Sequence, residues 1–259
     1  MARVAPEIPE CPAGLDDALI AQFHRDGYLA FENVLTAKEV EDAKAALTRV
    51  HKQLFEDAKA GRASVREANP KATKNYSGMH IHHPEDGHSI HYEPGLNPMD
   101  LSQAEAEEKF RKVHGYEAQH PVFQQLVEHG RTMGFIERVL GESAVLKGTM
   151  ALSKPPFIGS EKPWHQDNAY FNWLPLELVA TVWIALDDAT IENGCMHVLP
   201  GMHVKGAFKH CHTIDCQIVP GRLDYSDAVP LELKAGGAMF FSAMLPHQTP
   251  PNGSAGRRR

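Results

Sequence analysis

The sequence predicts an α+β chain with a mainly β core, of sandwich or barrel type, behind flanking N-terminal helices. Apolar residues recur at helical spacing through the first half. After Gly141 the texture changes to short β-rich runs separated by Gly, Pro and Asn clusters. The N-terminal helices each present one apolar face, and a sheet is what such faces bury against. Of the 259 residues 42% are hydrophobic and 23% charged, enough apolar material for a full core. The length fits a single domain over 1–259, with a helical part at about 14–141 and a β core at about 142–259.

In chain order, residues 1–13 are Pro-rich and read as a loose arm. Leu15, Leu19, Ile20 and Phe23 mark a first helix, which Gly27 stops, and the following YLAFENVL reads as a strand. Thr36 with Glu39 has the pattern of a capping box. Val40, Ala43, Leu47, Val50 and Leu54 give the helix behind it an apolar face. Residues 70–100 are broken by Gly78, Pro84, Gly87, Pro94, Gly95 and Pro98. They show no periodicity and read as a long functional loop over a site. An acidic helix is expected near 102–109, and a longer one over 121–140, begun by Pro121 and ended by Gly141. Strands are expected at 144–152, 178–186, 196–199, 217–219, 231–233 and 238–241.

The 26 basic residues against 33 acidic ones give a net charge of −7, which argues against a nucleic-acid or anionic-membrane partner. No run of eighteen apolar residues occurs, and the N-terminus lacks the apolar stretch of a signal peptide. Cys11, Cys195, Cys211 and Cys216 form no CxxC pair and read as reduced thiols of a cytoplasmic protein. The unusual number is sixteen histidines, which directs attention to a metal.

The sharpest local feature is PWHQDNAYF. On an extended strand His165 and Asp167 share a face, so an imidazole and a carboxylate converge. The best third ligand is His247, after the apolar run GGAMFF. Two His and one carboxylate on one face suit non-haem Fe(II) with open positions. Arg258 offers the planar fork that holds a carboxylate, and Thr249, two residues past His247, adds a hydroxyl. A dicarboxylic co-substrate fits between the metal and Arg258.

Residues 148–258 resemble the phytanoyl-CoA dioxygenase family of Fe(II)- and 2-oxoglutarate-dependent oxygenases, within it the domain-containing type. The residues that carry this are Lys154-Pro155-Pro156, His165-Gln166-Asp167, the stretch VWIALDDATIENGCMHVLPGMH, GGAMFF before His247, and N-x-S followed by Arg after it. FHRDGYLAFENVLTAKEV is similar to the family's N-terminal opening. The resemblance implies a double-stranded β-helix (a jelly-roll, cupin-like core) that continues past Arg258 with one more sheet strand. It implies His165, Asp167 and His247 as catalytic iron ligands. For 2-oxoglutarate it implies Arg258 and Thr249, walls from Trp183 and Met150, and a contact from Lys112. The reaction implied is hydroxylation of a small-molecule substrate with Fe(II), 2-oxoglutarate and O2 as cofactor and co-substrates.

Other readings compete. The cluster His80, His82, His83, His88 and His91 is a second candidate metal site, but its spacing fits no common template. It reads as part of a substrate-facing lid, with Tyr76 and His80 touching substrate, or as a merely solvated loop. KHCHTIDC (209–216) reads as a loop without metal. A metal-binding jelly roll without oxygenase activity is the rival from another class. Related halogenases replace the carboxylate with a small residue, and Asp167 counts against that reading.

Overall fold

The computed structural model describes residues 4–67, 78–212 and 215–259. Helix α1 (Asp17–Asp26) begins where Asp16 Oδ1 accepts from Leu19 N at 2.9 Å, and ends at Gly27 with φ 85°. Helix α2 (Ala37–Lys59) opens on the expected capping box. Thr36 Oγ1 accepts from Glu39 N at 3.3 Å, and the Glu39 carboxylate accepts from Thr36 N at 2.8 Å. Ser102 and Glu105 repeat the device at α3 (Gln103–Lys109). The single helix expected over 121–140 is two, α4 (Pro121–Glu128) and α5 (Met133–Leu140). Between them Gly130 loosens the chain, and Thr132 Oγ1 donates to Leu126 O at 2.7 Å, closing the end of α4.

Fourteen strands follow the chain among the described residues: β1 (Tyr28–Phe31), β2 (Ser64–Glu67), β3 (Met79–His82), β4 (Ser89–Tyr92), β5 (Phe110–His114), β6 (Met150–Leu152), β7 (Lys162–His165), β8 (Ala180–Ile184), β9 (Met196–Val198), β10 (His210–His212), β11 (Cys216–Ile218), β12 (Val229–Leu231), β13 (Ala238–Ser242) and β14 (His247–Thr249). A short helix, α6 (Asn168–Phe171), follows β7.

The fold is a jelly roll of two antiparallel layers. One layer joins the order β2-β3-β4-β5-β6 to the order β1-β13-β8. The backbone of 258–259 makes the join. Arg258 pairs with Lys154 just past β6, and Arg259 O accepts from Leu186 N just past β8 at 2.9 Å. The facing layer has the order β12-β9-β14-β7, with the β10-β11 hairpin alongside. Met196, Val198, Leu231, Met239, Phe241 and Leu245 fill the space between the layers. On the outer face of the first layer, α2 covers Ile81, Ile90 and Val113, while α1 and α5 cover β1 and β13.

Several expectations need correction. The span 14–141 is not purely helical, since it carries β1 to β5. Residues 79–82 and 89–92 are inner strands of a five-stranded sheet, not an irregular lid. The strand expected over 144–152 forms from Met150, and residues 210–212 pair antiparallel with 216–218 where a loop was expected. Gly194, in the NGC stretch, has φ 83°, and a Cβ there would sit 2.2 Å from Pro250 O. That close approach holds the turn before β9 against the chain leaving β14. Among the described residues no helix is long and apolar enough to cross a membrane, and all four cysteines are free thiols.

The core under α2 carries a titratable group. His51 is fully buried between Phe55 and Phe110, and its Nε2 meets Tyr92 OH at 2.9 Å. Burial holds its pKa down to about 4. The folded pKa lies below the unfolded value near ~6.5, so the unfolded chain takes the proton first. Stability from this group is complete above pH ~6.5 and falls by about 1.4 kcal/mol per unit as the pH drops toward 4. His51→Phe cannot take up that proton. Urea unfolding should show it losing about 2 kcal/mol less than the native protein between pH 7 and pH 5. Equal losses would mean that His51 is not held neutral.

Candidate active site

Strand pairing builds the site. β7 runs antiparallel to β14 with His165 directly opposite His247, so both rings leave the same face. Their centroids lie 4.1 Å apart, and both side chains are buried. Asp167 reaches them by a different route from the one expected. Its backbone is helical, φ −58° and ψ −37°, and it opens α6. The convergence comes from the chain turning off β7, not from strand alternation. Its carboxylate makes no N-cap bond. Asp167 Oδ1 instead lies 3.4 Å from His165 Nε2 and 3.5 Å from His247 Nε2.

The polar groups behind these three fix what they present. His165 Nδ1 lies 2.8 Å from Pro163 O, and His247 Nδ1 2.9 Å from Leu245 O. A carbonyl only accepts, so each Nδ1 carries the proton and each Nε2 presents its lone pair inward. Burial, then the neighbouring His247, lowers the His165 pKa to about 4, which keeps the ring neutral. Burial opposes ionisation of Asp167, but His247, His165 and Thr181 outweigh it and hold the carboxyl well below the usual range. The result is two imidazoles with Nε2 turned inward and one carboxylate, each with a ligand atom within 4.8 Å of the others. This is a donor set for a divalent transition metal.

Three residues that sequence reasoning gave no role hold this turn. Thr181 Oγ1, on β8, donates to Asp167 Oδ2 at 2.8 Å and fixes the carboxylate plane. Gln166 is buried. Its Nε2 donates to Met244 O at 2.6 Å and Gly206 O at 2.9 Å, and its Oε1 accepts from Phe208 N at 2.8 Å. Asn168 exchanges bonds with the Trp173 backbone at 3.0 Å. Gln166 and Asn168 have one signal in the sequence, their place within and just after His-x-Asp, and Thr181 on β8 has none.

The arginines at 257–259 separate cleanly. Arg257 Nη1 bonds Glu107 Oε2 at 2.9 Å, and Arg259 Nε bonds Asp187 Oδ2 at 2.8 Å. Arg258 is 2% exposed, pairs with no carboxylate among the described residues, and leaves its Nε without a partner. Its guanidinium lies 5.5 Å from the Trp183 ring. Burial draws its pKa down to about 10, so it stays a cation at neutral pH. The motif residues around it set the backbone. Lys154 Nζ donates to Ser160 O at 2.5 Å, Thr249 O at 3.2 Å and Pro250 O at 2.5 Å, which ties β14 to the chain beside Arg258. Asn252 Nδ2 donates to Lys154 O at 2.9 Å and Gly256 O at 2.7 Å, and its Oδ1 accepts from Ser254 N at 2.8 Å. The N-x-S stretch is the turn that delivers Arg258.

The remaining expected residues are spread out. Thr249 is buried on β14, past an irregularity in the pairing with β7. Lys112 lies on β5 between His91 and Leu152. Burial, then Arg111 and Lys162, lowers its pKa to about 8. Met150 pairs with His114 and is 46% exposed, so it is not a packed wall. His80 is buried on β3, and Tyr76 lies outside the described residues. His83, Asp86 and His88 also bring ligand atoms within 4.8 Å, in the β3–β4 turn. There the exposed Asp86 is engaged by His88 Nδ1 at 2.5 Å and Gln119 Nε2 at 3.0 Å.

Comparison with known proteins agrees with this geometry. Residues 23–259 match the family described as phytanoyl-CoA dioxygenase (PhyH). The phytanoyl-CoA dioxygenase domain-containing protein 1 homolog of Dictyostelium discoideum is 26% identical over 256 residues, covering 94% of this chain and 88% of that protein. EvdO2 from Micromonospora carbonacea var. aurantiaca, complexed with 2-oxoglutarate, has a TM-score of 0.62 at 22% identity, covering 96% of this chain and 89% of the other. EctD from S. alaskensis, with 2-oxoglutarate and 5-hydroxyectoine, has a TM-score of 0.63 at 18% identity, covering 99% and 81%. At these identities the two structures speak for the fold alone.

Proposed function

The chain belongs to the phytanoyl-CoA dioxygenase family and is a non-haem iron oxygenase using Fe(II), 2-oxoglutarate and O2; from that premise we propose that it hydroxylates a C–H bond of a small organic substrate. His165, Asp167 and His247 would hold the iron through His165 Nε2, Asp167 Oδ1 and His247 Nε2. Arg258 would hold the distal carboxylate of 2-oxoglutarate, with Thr249 adding a hydroxyl and Trp183 one wall. Lys112 is proposed at the same pocket from β5, and the half-exposed Met150 is not kept as a wall of it. The observation that carries this reading is Arg258, a buried cation without a carboxylate of its own, in a chain whose three ligand atoms already converge. A dianionic co-substrate supplies the missing partner.

With iron and 2-oxoglutarate bound, O2 and 2-oxoglutarate yield succinate and CO2 while one oxygen atom enters the substrate C–H bond. The chain's own residues orient and neutralise. The carbonyls of Pro163 and Leu245 keep the proton on Nδ1 of each histidine, leaving Nε2 free. Thr181 stops the carboxylate from turning. Arg258 and Trp183 set the angle at which the co-substrate enters. Asp167 fills the place that a halide would need, which favours hydroxylation over halogenation. A metal-binding scaffold without activity gives Arg258 no purpose.

Anaerobic addition of Fe(II) and 2-oxoglutarate should develop a visible charge-transfer band, and oxygen should discharge it with release of succinate. A protein that binds iron without the band, or forms no succinate, does not have this function. The hydroxyl behind the carboxylate gives a finer test. Thr181→Val keeps the shape and removes the donor. Iron affinity or turnover should fall about ten- to a hundredfold, and an iron titration with unchanged affinity and rate would remove Thr181 from the site.

A further inference from the structure

The face of the five-stranded sheet opposite α2 carries four histidines that the iron site does not use, in rows shared with Lys112 and Met150. Register sets His80, His91, Lys112 and Leu152 opposite one another across β3 to β6. The next row is His82, Ser89, His114 and Met150. Directly paired residues share a face, so four imidazoles stand together. The His80 and His91 rings stack at 5.0 Å, and His114 meets His91 edge-on at 5.3 Å.

This face looks toward the iron side. Lys112 and His114 lie within repulsive reach of Lys162 on β7. Lys162 Nζ bonds Tyr170 OH, and the Tyr170 ring packs against His165 at 5.8 Å. His80 is 8% exposed, and its Nε2 accepts from Arg66 Nε at 3.2 Å. Its proton therefore sits on Nδ1, which has no partner, and His82 Nδ1 has none either. A buried N–H without an acceptor costs about 1–3 kcal/mol, and a ligand oxygen removes that cost. The nearby acids are taken, Asp215 by Lys162 at 2.5 Å and Asp86 by His88 and Gln119. Burial holds His91 at about 2 and His114 at about 4, so the rings are neutral donors. Neutral ring donors beside Lys112, with Lys162 held by Asp215 and Arg66 turned to His80, suit a single carboxylate better than the clustered phosphates of a coenzyme A thioester, which call for several Lys and Arg left to them. Beside the rings, Met150 is 46% exposed, and Tyr170 and Phe171 are exposed just past Asp167. These offer apolar surface to the rest of a ligand.

We infer that the His80–His91–His114 face docks the carboxylate of the substrate, which makes the substrate class a free carboxylic acid with an apolar body. This rests on the oxygenase reading above and deepens it. Octanoate, octanol, octyl phosphate and octanoyl-CoA, titrated calorimetrically into the anaerobic Fe(II)·2-oxoglutarate enzyme, test it. Octanoate should bind at least about tenfold more tightly than the other three. His91→Phe keeps a ring and removes the donor, and it should weaken octanoate about tenfold while leaving octanol unchanged. His91→Gln, which restores a donor, should recover part of the loss and serves where the Phe variant does not fold. Equal binding of octanoate and octanol, tighter binding of the phosphate or thioester, or octanoate affinity indifferent to both His91 variants would overturn the inference. Octanoate binding that needs His91 in a protein that never forms succinate would support the carboxylate site and remove the oxygenase reading instead.

Discussion

Asp167→Ala should lower iron-dependent succinate formation by on the order of a hundredfold or more, and His165→Ala and His247→Ala should do the same. Each variant removes one of three donors held within 4.8 Å. Removing groups that merely orient metal ligands already costs about 10- to 100-fold, so loss of a ligand costs more. The fold should survive, because Met196, Leu231, Met239 and Leu245 still fill the space between the layers, although His247→Ala gives up the contact of that ring with Phe241 at 4.9 Å. Asp167→Ala carries one further consequence. The carboxylate stands between two buried imidazoles, and without it the pocket holds two rings with no anion to offset a dication. Iron should then dissociate on desalting, whereas Thr181→Val should retain it. Metal stoichiometry, the charge-transfer band and a thermal melt separate loss of ligation from loss of fold. Near-native turnover in any one of the three alanine variants would mean that the ligand set is wrong.

The three side chains that converge are more legible in the sequence than the sheet that supports them. His-x-Asp followed by a histidine after an apolar strand is a pattern of residue types, and it leads to His165, Asp167 and His247 whatever the backbone between them. The capping boxes at Thr36 and Ser102 are equally local and equally legible. The strands β2 to β5 are not. Their inward residues Val65, Ile81, Ile90 and Val113 do alternate, but each strand spans four or five residues and the other face carries Arg66, His80, His91 and Lys112. Alternation of one or two apolar positions with imidazoles, between glycines and prolines, looks the same as an irregular loop. What identifies these strands is pairing with one another, which lies outside any short window. The break between α4 and α5 is the converse case. Val122, Phe123 and Leu126 have helical spacing and so do Phe135, Ile136 and Val139, and the one cue to the break is the nine-residue step between the two sets, which is out of phase and holds Gly130 and Thr132. Asp167 shows a right conclusion drawn from a wrong backbone, since a helical turn brings the carboxylate where a strand was expected to.

Arg258→Ala should raise the apparent KM for 2-oxoglutarate by roughly ten- to a hundredfold, because a charge-assisted contact in a buried pocket contributes about 1.5–3 kcal/mol. Arg258→Lys should recover part of this, since a point charge cannot reproduce the fork. The flanking arginines make the control sharp. Arg257 is held by Glu107 and Arg259 by Asp187. Arg257→Ala should therefore cost stability without touching the KM. A larger effect on 2-oxoglutarate from Arg257→Ala than from Arg258→Ala would shift the register by one residue. The unpaired burial of Arg258 adds an expectation with the opposite sign. A guanidinium taken from water without a carboxylate destabilises the protein that lacks co-substrate. Arg258→Met fills similar volume without the charge. It should raise the unfolding free energy of the protein without 2-oxoglutarate by about 1–3 kcal/mol, and it should abolish the stabilisation that 2-oxoglutarate gives the native chain. Melting curves with and without 2-oxoglutarate test both signs together. If Arg258→Met lowered stability and left the 2-oxoglutarate shift intact, Arg258 would be a structural cation and the co-substrate would lie elsewhere.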